Sequence, residues 1–300
     1  MLFFSYNIIG DIMKNAIKFF YNLEVDSIRQ LNDKYFLESK NVFYCLEKTD
    51  IDIENKYQII SRYPFLYKIV KNNQNSIVTK INDKNYVLLV IDKNTRIIDI
   101  NDIYNFGNIY LYLNDIDPVK RAIQFWSDRV DYIEYQLNQI GKKYPILRIS
   151  FAYYNGLTEN AIELLKTIDG SRINVYLMHH RIRIDDKIFD LCNPLNIVFD
   201  SRIRDVCEYL KSSFFSGKNI YEDATKYLVK LSQDEIVFFM SRLLYPSYYY
   251  DIFDSVLENK NENELDYILS KVIDYEKELK RIYVFIRDKY IIPEIEWLNE

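Results

Sequence analysis

The chain has 300 residues and a formal net charge of −5. It holds 6 Gly, 6 Pro, 3 Cys and 28 Tyr, and 49% of its residues are hydrophobic, whereas average usage would supply roughly 21 glycines. These counts exclude a collagen-like or low-complexity chain, a disulfide scaffold and a disordered one, and the mild acidity offers no basic footprint for nucleic acid.

The N-terminal stretch Met1 to Leu23 is apolar but interrupted by Asp11, Lys14 and Lys18. It reads as an amphipathic helix with Phe19, Phe20 and Leu23 on or near the buried side, not as a signal peptide. Nothing later reaches the ~18 uninterrupted apolar residues of a membrane span. Lys34–Ser39 and Asn41–Lys48 are β-rich and meet at Ser39-Lys40-Asn41, a hairpin-like junction. Asp50–Tyr63 carries Ile53, Tyr57 and Ile60 at helical spacing and ends before Pro64. Ser76–Ile81 and Asn85–Ile91 form a second hairpin through Asn82-Asp83-Lys84, and the run YVLLVI predicts a buried central strand.

From Ile98 the pattern turns helical. A long amphipathic helix spans roughly Val119–Ile140, with Pro118 near its start and Ile123, Trp126, Val130, Ile133 and Leu137 on one face. Tyr153–Ile168 is another helix. Short strands follow over Tyr176–Phe199, as VYLMHH, KIFDL and LNIVF. The rest is helical: Arg204–Phe214, Tyr221–Leu231, Gln233–Leu244, Tyr248–Asn259 and Glu262–Arg287. The expected fold is therefore α+β and two-lobed: a small β-rich N-lobe over 1–92 and a large, mainly α-helical C-lobe over 93–300, with a short β insert around 176–200.

Cys45, Cys192 and Cys207 lie far apart, with only His179 and His180 to assist them, so a Cys/His zinc site is not expected. Scattered thiols suit a reducing cytosol. No GxGxxG or GxxxxGK[ST] occurs. Chemistry concentrates instead in HHRIRIDDKIFDLCNPLNIVFDSRIRDVCEYLKSSFF, which starts at His179. Here a His is followed by an acidic hairpin-like turn. An apolar strand ending in Asp200 comes next, and then Asp205 ahead of a helix.

This segment resembles the aminoglycoside-phosphotransferase-like kinases, in particular their spore-coat CotS/YutH-type branch. That family carries HGDxxxxN, a strand ending in a metal-binding Asp, and a downstream Asp opening a helix. RYPFLYKIVKNNQNSIVTKINDKNYVLLVID resembles the N-lobe run of the family, and SRLLYPSYYYDIFDSV and IPEIEWL resemble the branch as well. The resemblance implies the kinase-like two-lobe fold, with His179 at the motif His and Asp200 at the metal ligand. Asp186 falls on the motif Asn, where it would still bind a metal, and Lys48 or Glu47 falls on the phosphate-binding Lys of the strand FYCLEK. Adjacent strand residues face opposite sides, so only one of these two points toward phosphates.

The departures from the pattern are chemical. His180 stands at the motif glycine and Arg181 at the catalytic Asp, and an arginine cannot accept a proton. Leu37 to Val42 has no glycine to close over phosphates. The resemblance with these losses implies a pseudokinase that works by binding or assembly, with a protein partner or coat assembly, no nucleic acid, and a place in the cytoplasm or a spore coat. No cofactor is expected on that reading. An atypical phosphotransferase would instead use ATP and magnesium on Asp200, with Asp185 or Asp186 as the base; a helical interaction module unrelated to kinases is the third reading. Plainer roles stand beside the catalytic ones: His179 as a structural histidine, Asp185 and Asp186 as a solvated turn, Arg204 and Asp205 as an ion pair and N-cap, and Glu54 as a surface residue. For Trp126, Trp297 and the tyrosines of YPSYYY the plain role is packing.

Overall fold

The computed structural model describes residues 2–49, 53–93, 96–111, 113, 115–259 and 261–299, with side chains from residue 11 onward. The chain forms two compact units, Met1–Ile97 with Asp186–Ile197, and Ile98–Asp185 with Val198–Glu300. The expected boundary at 92/93 thus lies within the first unit, and the expected insert around 176–200 is divided between the two.

The first unit begins with helix α1 (Leu2–Tyr21) and strands β1 (Ser27–Leu31), β2 (Lys34–Ser39) and β3 (Val42–Lys48). Helix α2 (Ile53–Ile60), then β4 (Lys68–Val70), β5 (Thr79–Ile81) and β6 (Lys84–Ile91) follow. Residues 50–52 of the expected second helix lie outside the described residues. The strands form one antiparallel sheet in the order β1-β2-β3-β6-β4, with β5 also on β6. The continuously apolar β6 is central because partners on both sides bury it. Both expected hairpin turns form, and each has two residues in the left-handed region: Lys40 and Asn41 in one, Asn82 and Asp83 in the other. Primed turns need that conformation to match strand twist.

One face of the sheet (Tyr35, Leu37, Leu46, Tyr86, Leu88) packs on α1 through Met13, Ile17 and Tyr21. These three follow i, i+4, i+8 and define the buried stripe. Phe20 and Leu23 pack at its edge, but Phe19 is exposed, a correction to its expected burial. The opposite face receives the segment 186–197. There KIFDL, expected as a strand, is helix α6 (Ile188–Cys192). The reason is local and tertiary: the Asp190 carboxylate accepts from the Lys187 N–H at 3.1 Å, and Phe189 packs its ring on Phe36 and Tyr67.

In the second unit, α3 (Ile100–Phe106) is opened by an Asp99–Asp102 capping box. Strand β7 (Tyr110–Leu111), the long helices α4 (Pro118–Ile140) and α5 (Pro145–Leu165), and strand β8 (Val175–His179) follow. Helix α5 begins well before the expected Tyr153, because Pro145 at its first turn is a helix starter. Strand β9 (Ile197–Asp200) joins β7 and β8 in a three-stranded sheet, order β7-β8-β9. Gly170, in the turn before β8, has no room for a side chain, since a Cβ would lie 2.1 Å from Asp117 Oδ1.

The remaining helices are α7 (Ile203–Phe215), α8 (Tyr221–Leu228), α9 (Gln233–Leu244), α10 (Ser247–Asn259), α11 (Asn263–Ser270), α12 (Val272–Lys289) and α13 (Glu296–Asn299). The expected helix 262–287 is broken at Lys271 into α11 and α12. Every residue of α9 from Glu235 onward is buried, which makes it the axis of this unit. The packing reading holds for Trp126, Tyr245 and Tyr249: Trp126 stacks on Tyr245 at 4.3 Å and Tyr154 on Tyr249 at 3.9 Å, all four buried, whereas Trp297 is half-exposed. None of the three cysteines is in a disulfide. Burial pushes the Cys207 thiol up to about 12, and the Cys45 thiol is raised above its ordinary value, first by burial. No helix among the described residues is long and apolar enough to cross a membrane.

Candidate functional site

The end of β8 delivers His179 and the chain reversal after it delivers Arg181; α7 returns Arg204, Asp205, Glu208 and Lys211 to the same region. His179 is fully buried. Its Nδ1 lies 2.6 Å from Asp205 Oδ2, and its backbone N–H donates to Asp205 Oδ1 at 2.9 Å. Its ring packs 4.5 Å from that of Phe106. Asp205 therefore fixes both the backbone and the ring of His179. It does not pair with Arg204 and does not cap α7, whose N-cap position is Arg202; the expected Arg204–Asp205 pairing is corrected on both counts.

Arg204 is turned the other way. Its Nε donates to the His179 carbonyl at 2.8 Å and its Nη2 to the His180 carbonyl at 2.9 Å, while Nη1 binds Asp200 Oδ2 at 2.7 Å. Arg242, from α9, binds the same Asp200 oxygen at 2.7 Å. The other oxygen accepts the Ser201 N–H at 2.7 Å. Burial alone would raise the Asp200 carboxyl; Arg242 and then Arg204 outweigh it and hold it below the ordinary carboxylate range. The guanidinium of Arg242 is itself walled by the rings of Phe238 and Trp126 at 5.0 and 5.8 Å.

Arg181 makes a two-pronged contact with Asp251 of α10, Nε to Oδ2 at 2.9 Å and Nη2 to Oδ1 at 2.7 Å. Its other near neighbour is Glu208, 3.9 Å away. Burial works against the charged guanidinium, but Glu208 and then Asp251 raise it above its usual value. Glu208 pairs with buried Lys211 at 2.7 Å, and Ser247 bridges them by donating to Glu208 Oε2 at 2.8 Å and accepting from Lys211 Nζ at 2.6 Å. The Glu208 carboxyl is held far below its ordinary range, because Lys211 and Arg181 outweigh the cost of burial. A cavity of about 460 Å³ opens beside this network, with Arg181, Arg183, Glu208, Asp251, Tyr248 and Tyr267 among its lining residues.

Four of the sequence-predicted residues, Asp186, Glu47, Lys48 and Glu54, lie in the first unit. Asp186 opens the segment 186–197 and is half-buried. In β3, Glu47 sits opposite Lys34 and Lys48 opposite Tyr86, so Lys48 belongs to the α1 side of the sheet and Glu47 to the side covered by 186–197. Glu47 accepts from Asn193 Nδ2 at 2.8 Å and pairs with Lys34 at 3.1 Å. Glu54 is exposed on α2. The structure thus gathers His179, Asp205, Asp200 and Arg181 into one network within the second unit. To these it adds Arg242, Asp251, Glu208 and Lys211.

The arrangement does not suit a magnesium ion at Asp200. Both carboxylate oxygens already have strong donors, and one −1 group faces two +1 groups, so a further cation meets net positive charge. Among the described residues no group of three or more His, Cys, Asp or Glu side chains is placed to hold a metal ion.

Comparison with known proteins bears on the family and the fold. An aminoglycoside phosphotransferase from Alicyclobacillus acidocaldarius superposes with a TM-score of 0.58 over 90% of this chain and 93% of its own, at 11% identity. The choline kinase LicA from Streptococcus pneumoniae gives 0.54 over 90% and 98%, at 13% identity. These show the fold: α+β, kinase-like and two-lobed. The "Endospore coat-associated protein YutH" of Bacillus subtilis (strain 168) is 26% identical over 176 residues, 50% of this chain and 51% of that protein. The chain thus spans about half the length of this curated relative in the match. The family described as "Spore coat putative kinase YutH" matches over residues 14–288, and the chain belongs to that family.

Proposed function

We propose that this kinase-fold protein of the YutH spore-coat family works by binding within a coat or a similar assembly, without phosphoryl transfer. The observation that carries the reading is the engagement of Asp200 by Arg204 and Arg242 at 2.7 Å each. Phosphoryl transfer asks the protein for little covalent chemistry. It asks for magnesium ions held by carboxylates against the phosphates, and for a carboxylate that accepts the hydroxyl proton. Here the guanidinium groups stand where the first demand needs a cation with open coordination. The second demand falls on Arg181, which carries only donors. The charges of Arg181, Asp200, Arg204 and Arg242 are each matched by an internal partner of opposite sign, so the network is neutralised without a ligand. The B. subtilis relative is coat-associated by its description; for this chain a coat location and a protein partner follow as part of the proposal.

The test is a melting experiment with and without saturating Mg-ATP, paired with a phosphate-release and transfer assay. A nucleotide that bound at about 100 times its Kd would stabilise the protein by about 2.7 kcal/mol. The expected result is no magnesium-dependent shift and no transfer above background. Magnesium-dependent transfer that Asp200→Ala abolishes would overturn the proposal.

A further inference from the structure

We infer that a small cavity in the first unit docks an acidic peptide segment of a protein partner. The cavity takes one apolar side chain, and carboxylates beside that anchor meet Arg62 and Lys68. The inference is independent of whether the protein transfers phosphate. Charge is the first observation. The chain as a whole is acidic, at −5, yet from Asn55 to Asn82 it has no Asp or Glu and carries Lys56, Arg62, Lys68, Lys71 and Lys80. Two of these are engaged: Lys56 Nζ donates to the Ile197 carbonyl at 3.2 Å, and Lys80 pairs with Asp83 at 3.0 Å. Arg62, Lys68 and Lys71 are exposed, and none of the three pairs with a carboxylate among the described residues.

The cavity lies in the same stretch of chain. Its volume is about 300 Å³, at the small end of ligand sites. The lining runs from the last turn of α2 through the turn at 61–67 into β4, and Pro194 joins it from the segment 186–197. Ile60, Leu66 and Ile69 give it buried apolar surface, while Tyr63 and Pro64 stay partly open to solvent. No lining residue is acidic, Lys68 is one of them, and Arg62 stands between the lining residues Ser61 and Tyr63. The turn is held by the N–H groups of Ser61, Tyr63 and Leu66, which donate to the carbonyls of Tyr57, Ile60 and Tyr63 at 3.0, 3.1 and 3.1 Å. The site is thus formed in advance, which lowers the ordering cost of binding. One term opposes an anion here, the negative dipole end of α2, and the same turn takes up carbonyls at that end.

The combination selects the occupant. A nucleic acid or a small anion would use the cations and leave the apolar cavity unfilled. A neutral apolar ligand would fill the cavity and leave the cations unmatched. An acidic peptide with one apolar anchor uses both. Lys68 and Ile69 also belong to β4, which among the described strands pairs with β6 alone, so the cavity lies at a sheet edge, a place where extended segments dock.

Fluorescence anisotropy on the full chain tests this with short labelled peptides in which one Leu, Phe or Trp stands between two pairs of acidic residues. The expected result is a dissociation constant of about 100 µM or tighter for at least one of them, weakening as salt rises. Exchanging the central residue for Ser, or the acidic flanks for Lys, raises the constant by about tenfold or more. Arg62→Glu/Lys68→Glu raises it about tenfold and turns the preference toward the Lys-flanked peptides. Tyr63→Ala narrows the gap between the apolar and Ser peptides. Circular dichroism and melting of each variant confirm an unchanged fold, and the peptide exchanges need no variant at all. Failure of every acidic peptide to bind by about 1 mM overturns the inference. So does binding that ignores the central residue or the two cations, or a single-stranded oligonucleotide of equal charge that binds more tightly than the peptides.

Discussion

Arginine at position 181 does two things that a carboxylate there would not: it donates from a rigid fork, and it keeps its charge at every accessible pH. Asp251 and Glu208 depend on that charge, as the 2.7 Å and 3.9 Å contacts show. Arg181→Asp would place three carboxylates together, with those of Glu208 and Asp251. We expect it to lower stability by about 3 kcal/mol, read by urea denaturation, with no gain of phosphate transfer. Adding Asp251→Arg should recover a large part of that loss. Recovery by the double variant separates a charge-pairing role from simple damage. At this scale the sequence was partly legible. His179, Asp200 and Asp205 stand in an ordered motif along one stretch of chain. Asp251 and Arg242 do not: they reach Arg181 and Asp200 from 70 and 42 residues away, and no local spacing announces a partner that tertiary packing supplies.

Among the elements, the hairpin turns show how little local signal suffices when backbone conformation is tightly constrained. Lys40 adopts φ 50° and Asn41 φ 64°. Asparagine tolerates that region; lysine has no such dispensation. Lys40→Gly should therefore raise the stability of the first unit by about 0.5–1 kcal/mol, and Asn82→Val, at φ 48°, should lower it by more than that. Paired chemical denaturation curves check both. Where tertiary contacts decide, pattern reading fails. KIFDL, between two strand-like runs, reads as a strand but is helical because Phe189 finds Phe36 and Tyr67. The short β4 and the exposed β1, with burial on a single side at most, escape a search for apolar alternation.

For the molecule as a whole, the division of buried charge matters most. Asp200, Glu208 and Glu235 all belong to the second unit, and all are held below their ordinary values by basic partners that overcome burial. A carboxyl of this kind stabilises the fold at pH above its unfolded value and loses that contribution as the pH falls through its folded value. The second unit should therefore lose stability steeply below about pH 4. Calorimetry at pH 7 and pH 3.5 should show its transition shifting most. Asp200→Asn should start from a lower melting temperature and lose less of it on acidification. The succession of a β-rich and a helical region was legible from periodicity. The return of residues 186–197 to the first unit was not, since only the folded chain shows which sheet face they cover. Buried thiols give that division a practical use. Cys45 lies fully buried in one unit and Cys207 in the other, and neither reacts as a thiol while its surroundings stay closed. With Cys192 replaced, the rate at which an alkylating reagent reaches each sulfur in the native protein counts opening events one unit at a time. The two cysteines are thus a pair of built-in clocks, and a difference between them would measure whether the lobes breathe separately or only unfold together.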